Sequence, residues 1–421
     1  MISEKEYKQR REDLADSLSK NSLAVICSAS YKIRSNDTEY PYRQDSNFYY
    51  LTGFKEDNST LVLIKKKKKI KTILFVAKKD KALELWTGKR VGVKKAKKRF
   101  LVDEIFLSDE FDAKIKEYIS ESKSIYFDFS RDNQNIKKYV KNLYSYKNIA
   151  KKIGMMRLIK SEAEIALIKK AISITKEAHH KVMKMDKVSK NERQLQAELE
   201  YVFKNNMAYN DAYTSIVAGG NSANTLHYIT NDKPLIDGDL ILIDAGCEYE
   251  YYASDITRTI PVNSKFSQAQ KDIYNFVLEV EEKIISMIKP TVLRSDLHKK
   301  SEELLVDGMI KLGILKGKTK NIIKKQKHKK YYPHGIGHWM GLDVHDDCPY
   351  KDKKGNEIAL ESGMVLTIEP ALYFDKSDKA IPKKYRGIGI RIEDDILVTK
   401  DGYENLSMDI VKSIKDIENI K

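Results

Sequence analysis

The sequence predicts two domains of mixed helix and strand: a smaller α/β domain over residues 1–155, then an α+β domain over 156–421. Three observations lead there. At 421 residues the chain is too long for one core, given the usual ~150 residues per domain. The first part interleaves short apolar runs with helical patterns, and the second runs two helices, strands, two helices and strands again. A Lys-rich, apolar-poor stretch, 141–152, reads as the linker between them.

In chain order, residues 3–20 read as a helix and Ser22 to Ser28 as a short buried strand. Strand-like runs recur at Ser59 to Ile64, Ile70 to Ala77 and Ser124 to Phe129, with helical patterns around 80–85 and 109–120. Ser161 with Glu164 forms a capping box ahead of the stripe Ile165, Ile168, Ile172 and Thr175. A second box, Ser189 to Glu192, precedes Leu195, Leu199 and Val202. Strands are expected at Tyr213 to Ala218, Asp239 to Ala245 and Tyr249 to Pro261. Helices follow at Ser267 to Ile288, closed by Pro290, and Ser295 to Leu312, closed by Gly313. A basic polar segment, 316–330, leads to a histidine-rich stretch, and strands return at Met364 to Ile368 and Ile388 to Val398. The repeated order has the look of an internal duplication, without a residue-level repeat.

Composition excludes several classes. The first 20 residues have neither the apolar core of a signal peptide nor the acid-poor look of a transit peptide, and no run of about 18 apolar residues follows. Three widely spaced cysteines argue against a disulfide framework and for a reducing compartment, so a cytoplasmic protein without membrane association is expected. The net charge of +16 raises nucleic acid as a partner, but only 13 of the 77 basic residues are Arg. The densest Lys runs, Lys65 to Lys69 and Lys94 to Lys98, read as solvated surface, and no nucleic-acid partner is expected.

The chemistry concentrates at strand ends. Tyr332 to Asp346 holds three of the eight histidines, His334, His338 and His345, and lies between Asp244 with Asp255 upstream and Glu369 with Glu393 downstream. Leu240 to Ile243 is apolar throughout, as in a strand covered on both faces, yet it ends on Asp244. A hairpin centred near Tyr249 and Glu250 would set Asp244 opposite Asp255, where two bare carboxylates need a proton or a cation. Glu369 ends a strand before Pro370, and alternation puts Gly389, Arg391 and Glu393 on one face, with Arg391 able to grip a carboxylate bidentately. Four carboxylates and His338 suit two hard or borderline divalent ions such as Mn²⁺, Co²⁺ or Zn²⁺ better than one structural zinc. Such a pair can activate water and polarise a carbonyl, which is hydrolytic chemistry.

Several motifs together resemble the pita-bread metallopeptidases, a family that includes methionine aminopeptidase, prolidase and aminopeptidase P. They are Leu226-His-Tyr228, Leu242-Ile-Asp-Ala-Gly-Cys-Glu-Tyr249, Ala253-Ser-Asp-Ile-Thr-Arg-Thr259, His334 to Asp346, Thr367-Ile-Glu-Pro370 and Tyr385 to Asp395. Tyr42 to Phe54 and Glu84 to Arg90 look like the amino-terminal domain of the aminopeptidase P branch, and the likeness covers nearly the full chain. It implies an α+β chain with a C-terminal pita-bread (creatinase/aminopeptidase) domain after a smaller α/β domain. It also implies removal of the first residue from peptides with proline second. Asp244, Asp255, His338, Glu369 and Glu393 would hold two metal ions, with Asp255 and Glu393 bridging them. Glu369 would also handle the proton of the attacking water, and His227 and His345 would steady the tetrahedral intermediate. Tyr213, His334 and Arg391 would line the pocket, and Trp86 resembles an aromatic that closes it, in the family often from a neighbouring subunit of a dimer or tetramer.

Two segments depart from the family pattern, Asp347-Cys-Pro349 and the polar stretch Lys351 to Glu357, and both bear on the pocket rim. Prolidase, which takes only Xaa-Pro dipeptides, is the alternative within the class. A metal-free binding module of the same fold is disfavoured by the presence of all five ligand residues.

Overall fold

A computed structural model describes residues 1–131, 134–140 and 146–420, and the chain divides into the units Met1–Arg157 and Leu158–Lys421. In the first unit the strand-like runs become β1 (Ser22–Cys27), β2 (Thr60–Lys66), β3 (Lys69–Val76) and β5 (Ser124–Phe127), joined by two unexpected strands, β4 (Glu104–Leu107) and, within the expected linker, β6 (Tyr146–Asn148). They form one mixed sheet in the order β4-β3-β2-β1-β5-β6. Leu23, Val25, Val62, Ile73 and Phe75 pack from it against Phe111 and Ile115 of the helix Phe111–Ser120. The expected first helix is shorter, α1 (Glu4–Asp16), and buries Arg10 and Arg11, which donate to the carbonyl oxygens of Tyr50 and Leu51.

Not all of the lysine-rich runs are solvated surface. Lys65 is buried, and its ammonium donates to the carbonyl oxygens of Ala15, Asp16 and Leu18 at 2.8–3.2 Å, capping the C-terminus of α1. Lys66 to Lys69 are exposed as expected. The expected linker is also replaced in part: 141–145 lie outside the described residues, but 150–152 begin the helix Ala150–Leu158.

The second unit opens with α2 (Glu162–Lys184), capped by Ser161 and Glu164 as expected, and α3 (Glu192–Asn205). The second box is displaced: Asn191 and Gln194 cap α3, while Ser189 sits at φ +69° in the turn before it. Strands β7 (Ile216–Gly219), β8 (Leu240–Asp244), β9 (Cys247–Tyr249), β10 (Tyr252–Ala253) and β11 (Thr257–Pro261) follow. The expected single strand from Tyr249 to Pro261 is thus broken at a turn and again around Asp255. Next come α4 (Gln268–Ile285) and α5 (Arg294–Lys311). The basic segment 316–330 is not irregular throughout, since Thr319–Lys324 is helical and Lys327–Lys330 forms a 3-10 turn.

Strands β12 (Val365–Ile368), β13 (Ala371–Phe374), β14 (Ile388–Arg391) and β15 (Asp394–Val398) follow, and a short strand, Tyr403–Asn405, paired with β15, and the helix Ile414–Asn419 come last. The expected strand Ile388 to Val398 therefore splits, and its halves pair with different partners, β14 with β13 and β15 with β12. Pro370 interrupts the earlier chain in the same way. β8 is covered on both faces, as its uniform apolarity predicts. Ile241 and Ile243 enter the main core with Leu195, Ile273 and Leu366, and Leu242 packs with Ile216, Ala371 and Tyr373.

Candidate metal centre

Strand ends from both halves of the second unit open on one cavity of about 650 Å³. Asp244 closes β8, Asp255 precedes β11, Glu369 follows β12 and Glu393 follows β14. Ten of the eleven residues singled out from the sequence line it: Tyr213, His227, Asp244, Asp255, His334, His338, His345, Glu369, Arg391 and Glu393. The eleventh, Trp86, lies on the helix Lys81–Thr87 of the first unit, 85% exposed.

The hairpin register differs from expectation. Tyr249 pairs with Tyr252, so the turn is centred on Glu250 and Tyr251, both at positive φ, and Asp244 faces Thr257 rather than Asp255. Moving the centre by one residue shifts the pairing by two. An even shift keeps every side chain on its face, so Asp255 becomes the diagonal neighbour of Asp244 and still points into the cavity.

The acidic and imidazole groups close around a common point. Ligand atoms of Asp255, His338 and Glu393 all lie within 4.8 Å of one another. His338 Nε2 is 3.3 Å from Asp255 and 3.7 Å from Glu369, and its Nδ1 lies 3.1 Å from the Trp339 carbonyl oxygen, which aims Nε2 at the carboxylates. Tyr213 donates to Asp244 at 2.6 Å and Thr257 to Glu393 at 2.6 Å. Arg391 does not grip a carboxylate bidentately. One N–H reaches Asp244 at 2.5 Å, and the others reach Tyr373 and Thr257. His334 Nε2 lies 3.0 Å from the Tyr373 hydroxyl, and the His345 ring stands edge-on to His338 with centroids 4.1 Å apart.

Electrostatics show what this assembly lacks. Burial, with the charges of Asp255 and Asp244, lifts Glu369 to about 7 against the pull of His338 and Arg391. Burial and the same crowding push Glu393 far above the carboxylate range, and burial raises Asp244 despite Arg391. Burial disfavours a charge on His338, yet Asp255 and Glu369 carry it up to about 9. Four carboxylates in one cavity therefore call for added positive charge, and an oxygen-rich set with one imidazole is the donor chemistry of hard or borderline divalent ions. The residues fit divalent metal binding.

Four supporting residues escaped the sequence reading. Tyr373 joins His334 to Arg391, Thr257 orients Glu393, Thr367 lies 3.4 Å from Glu369, and Asp395 accepts the Asp255 N–H. Alternation carried the signal for two of them, because Tyr373 lies four residues past Glu369 and Asp395 two past Glu393. A further buried pair anchors the histidine stretch: Lys160 Nζ lies 3.0 Å from Asp346, next to His345, and both side chains are almost fully enclosed. Lys160→Met takes the cation from beside a buried carboxylate, with an expected loss of about 3–5 kcal/mol read from the urea midpoint. The double variant Lys160→Met/Asp346→Leu is expected to recover most of it.

Comparisons with known proteins identify the family. The metallopeptidase family M24 matches residues 166–400, and the aminopeptidase P N-terminal domain matches residues 7–126. The chain is 38% identical to an Xaa-Pro aminopeptidase of Haemophilus influenzae over 100% of its own length and 97% of that protein. It superposes on proline aminopeptidase P II from Yersinia pestis with a TM-score of 0.95 at 38% identity, covering 100% of this chain and 99% of that one. Zn-substituted E. coli aminopeptidase P in complex with product gives a TM-score of 0.95 at 37% identity, covering 100% and 98%.

Proposed function

The chain belongs to metallopeptidase family M24 and carries an aminopeptidase P N-terminal domain, and on that basis we propose that it removes the first residue from peptides with proline second. The observation that supports this most is the single cavity in which the five acidic and imidazole side chains meet His227 and His345. In this reading residues 156–421 are the catalytic domain and 1–155 the aminopeptidase P/creatinase-like domain. Asp244, Asp255, His338, Glu369 and Glu393 would hold two divalent ions, Mn²⁺ in our reading, which supply Lewis-acid activation of water and of the scissile carbonyl.

The chain's own groups do the rest. Glu369 takes the proton of the attacking water and returns it to the departing proline nitrogen, which carries no hydrogen in the peptide and leaves as a secondary amine. His227 and His345, on the solvent side of the cavity, donate to the oxygen that gains charge as the carbonyl becomes tetrahedral. Tyr213 and Arg391 hold Asp244 in place, and His334, braced by Tyr373, walls the space for the pyrrolidine ring.

Among the described residues no helix is long and apolar enough to cross a membrane. We place the enzyme in the cytoplasm, acting on peptides rather than nucleic acid, as a dimer or tetramer in which Trp86 of one copy closes the pocket of another. Incubation with Ala-Pro-Ala and with Ala-Pro, with Mn²⁺ and with chelator, tests the activity. Release of alanine from the tripeptide with Mn²⁺ and not with chelator is the expected result. Cleavage of the dipeptide alone turns the reading to prolidase, and cleavage of neither with any divalent ion removes the enzyme reading.

A further inference from the structure

One cation beside the cavity has no role in the chemistry above. Arg294, the first residue of α5, is half-buried at the edge of the cavity, against Gly335, Gly337 and Tyr350, all of which line it. Its Nη1 donates to the Gly337 carbonyl oxygen at 3.2 Å and lies 3.7 Å from where a Cβ on Gly335 would stand. Its guanidinium carbon is 4.6 Å from the centre of the Tyr350 ring. The group is thus fixed by backbone and by an aromatic face, and not by an opposite charge. Neither Glu302 nor Glu357 pairs with it: Glu302 is held by His328 and Lys329, and Glu357 accepts the Ser295 N–H. Nε is shut off from solvent without a hydrogen-bond partner, at a cost of about 1–3 kcal/mol, and among the described residues no carboxylate pairs with the guanidinium.

A planar fork of donors with one donor used is the group that a carboxylate completes. Covalent reach fixes which carboxylate. Gly337 precedes His338, so the guanidinium lies within about 10 Å of His338 Nε2, one of the groups at the proposed reaction centre. In an extended tripeptide the terminal carboxylate lies two residues past the scissile bond, roughly 7 Å on, and in a dipeptide only one residue past.

We propose that Arg294 receives the terminal carboxylate of Xaa-Pro-Yaa, so that the enzyme prefers tripeptides with a free C-terminus. The inference rests on the Xaa-Pro aminopeptidase reading and adds a binding site to it. Tyr350 follows directly on the Asp347-Cys-Pro349 departure from the family pattern, so the altered rim supplies the face on which the guanidinium rests.

The test compares Ala-Pro-Ala with its C-terminal amide, using the Mn²⁺-loaded full-length protein and its Arg294→Gln and Arg294→Lys variants. A charge-assisted pair predicts a KM for the free acid at least about tenfold below that for the amide, with kcat values close together. Arg294→Gln is expected to bring the two KM values within about twofold, and Arg294→Lys, a point charge without the fork, to fall between. Inhibition by the product Pro-Ala and by its amide should show the same split. A residue that merely props the wall would shift both substrates together and leave their ratio intact. That result, or equal KM values in the unaltered enzyme, overturns the role of Arg294 while the peptidase reading stands, whereas failure to cleave either substrate overturns both.

Discussion

Asp255→Ala is expected to abolish metal-dependent alanine release, by on the order of 10³-fold or more, without unfolding the protein. Asp255 sits at the centre of the cluster: its carboxylate is 3.3 Å from His338 Nε2, and its ligand atom falls within 4.8 Å of those of both His338 and Glu393. No other side chain can replace it, because its backbone is pinned by the hydrogen bond to Asp395 and by the turn at Glu250 and Tyr251. The fold should tolerate the loss. Two carboxylates 4 Å apart repel by about 4 kcal/mol at an effective dielectric constant near 20, so removing one relieves strain in the metal-free protein while giving up a partner of His338. Thermal unfolding separates these effects. With chelator, the variant should melt within about 3 °C of the unaltered chain, where a 1 kcal/mol change moves the midpoint by only a few degrees. With Mn²⁺, the unaltered chain should gain stability by mass action, about 4 kcal/mol at a thousandfold excess over Kd, and the variant should gain almost none. A variant that keeps both activity and the Mn²⁺ shift would remove Asp255 from the ligand set.

How far the sequence could be read follows from which interactions are local. Capping at Ser161 and the two-sided burial of β8 depend on residues a few positions apart, and both were legible. The displaced cap at Asn191 shows the limit, since Ser189 and Asn191 are equally good capping residues and the positive φ at Ser189, set by the turn, decides between them. The hairpin turn falls one residue beyond the centre that the sequence suggests. Two tyrosines and a glutamate offer no glycine or asparagine to mark the turn, yet the even shift left Asp244 and Asp255 on the correct face. The four carboxylates could be found because each ends a strand or follows one, and His338 because it lies in a histidine-rich stretch punctuated by glycine. Arg391 was found but its partner was not, because its contact with Asp244 spans 147 residues and depends on β14 lying beside β8. The burial of Lys65 is hidden in the sequence for the same reason: its acceptors at the end of α1 are supplied by the tertiary fold.

The histidine stretch divides into unlike roles, and replacing its members should give opposite signatures. His338→Ala is expected to lose both activity and the Mn²⁺-induced rise in unfolding temperature. His345→Ala is expected to lose activity by about 10²–10³-fold, the scale for one donor to a developing oxyanion, while keeping the Mn²⁺ shift. The geometry behind this is a matter of direction. His338 is held by its own backbone, with N–H donated to Thr367 and Nδ1 beside the Trp339 carbonyl oxygen, so Nε2 can face only the carboxylates. The ring of His345 stands at 72° to that of His338, on the exposed side of the cavity, where burial and the neighbouring His338 lower its proton affinity. A neutral imidazole there donates one N–H to substrate without adding a fixed charge that would oppose metal binding. His345→Asn, which keeps an N–H donor, should therefore recover part of the rate, and His338→Asn should recover none. If His345→Ala also lost the Mn²⁺ shift, the two rings would share one task, and the edge-on contact at 4.1 Å would join two ligands instead of separating a ligand from a substrate-side donor.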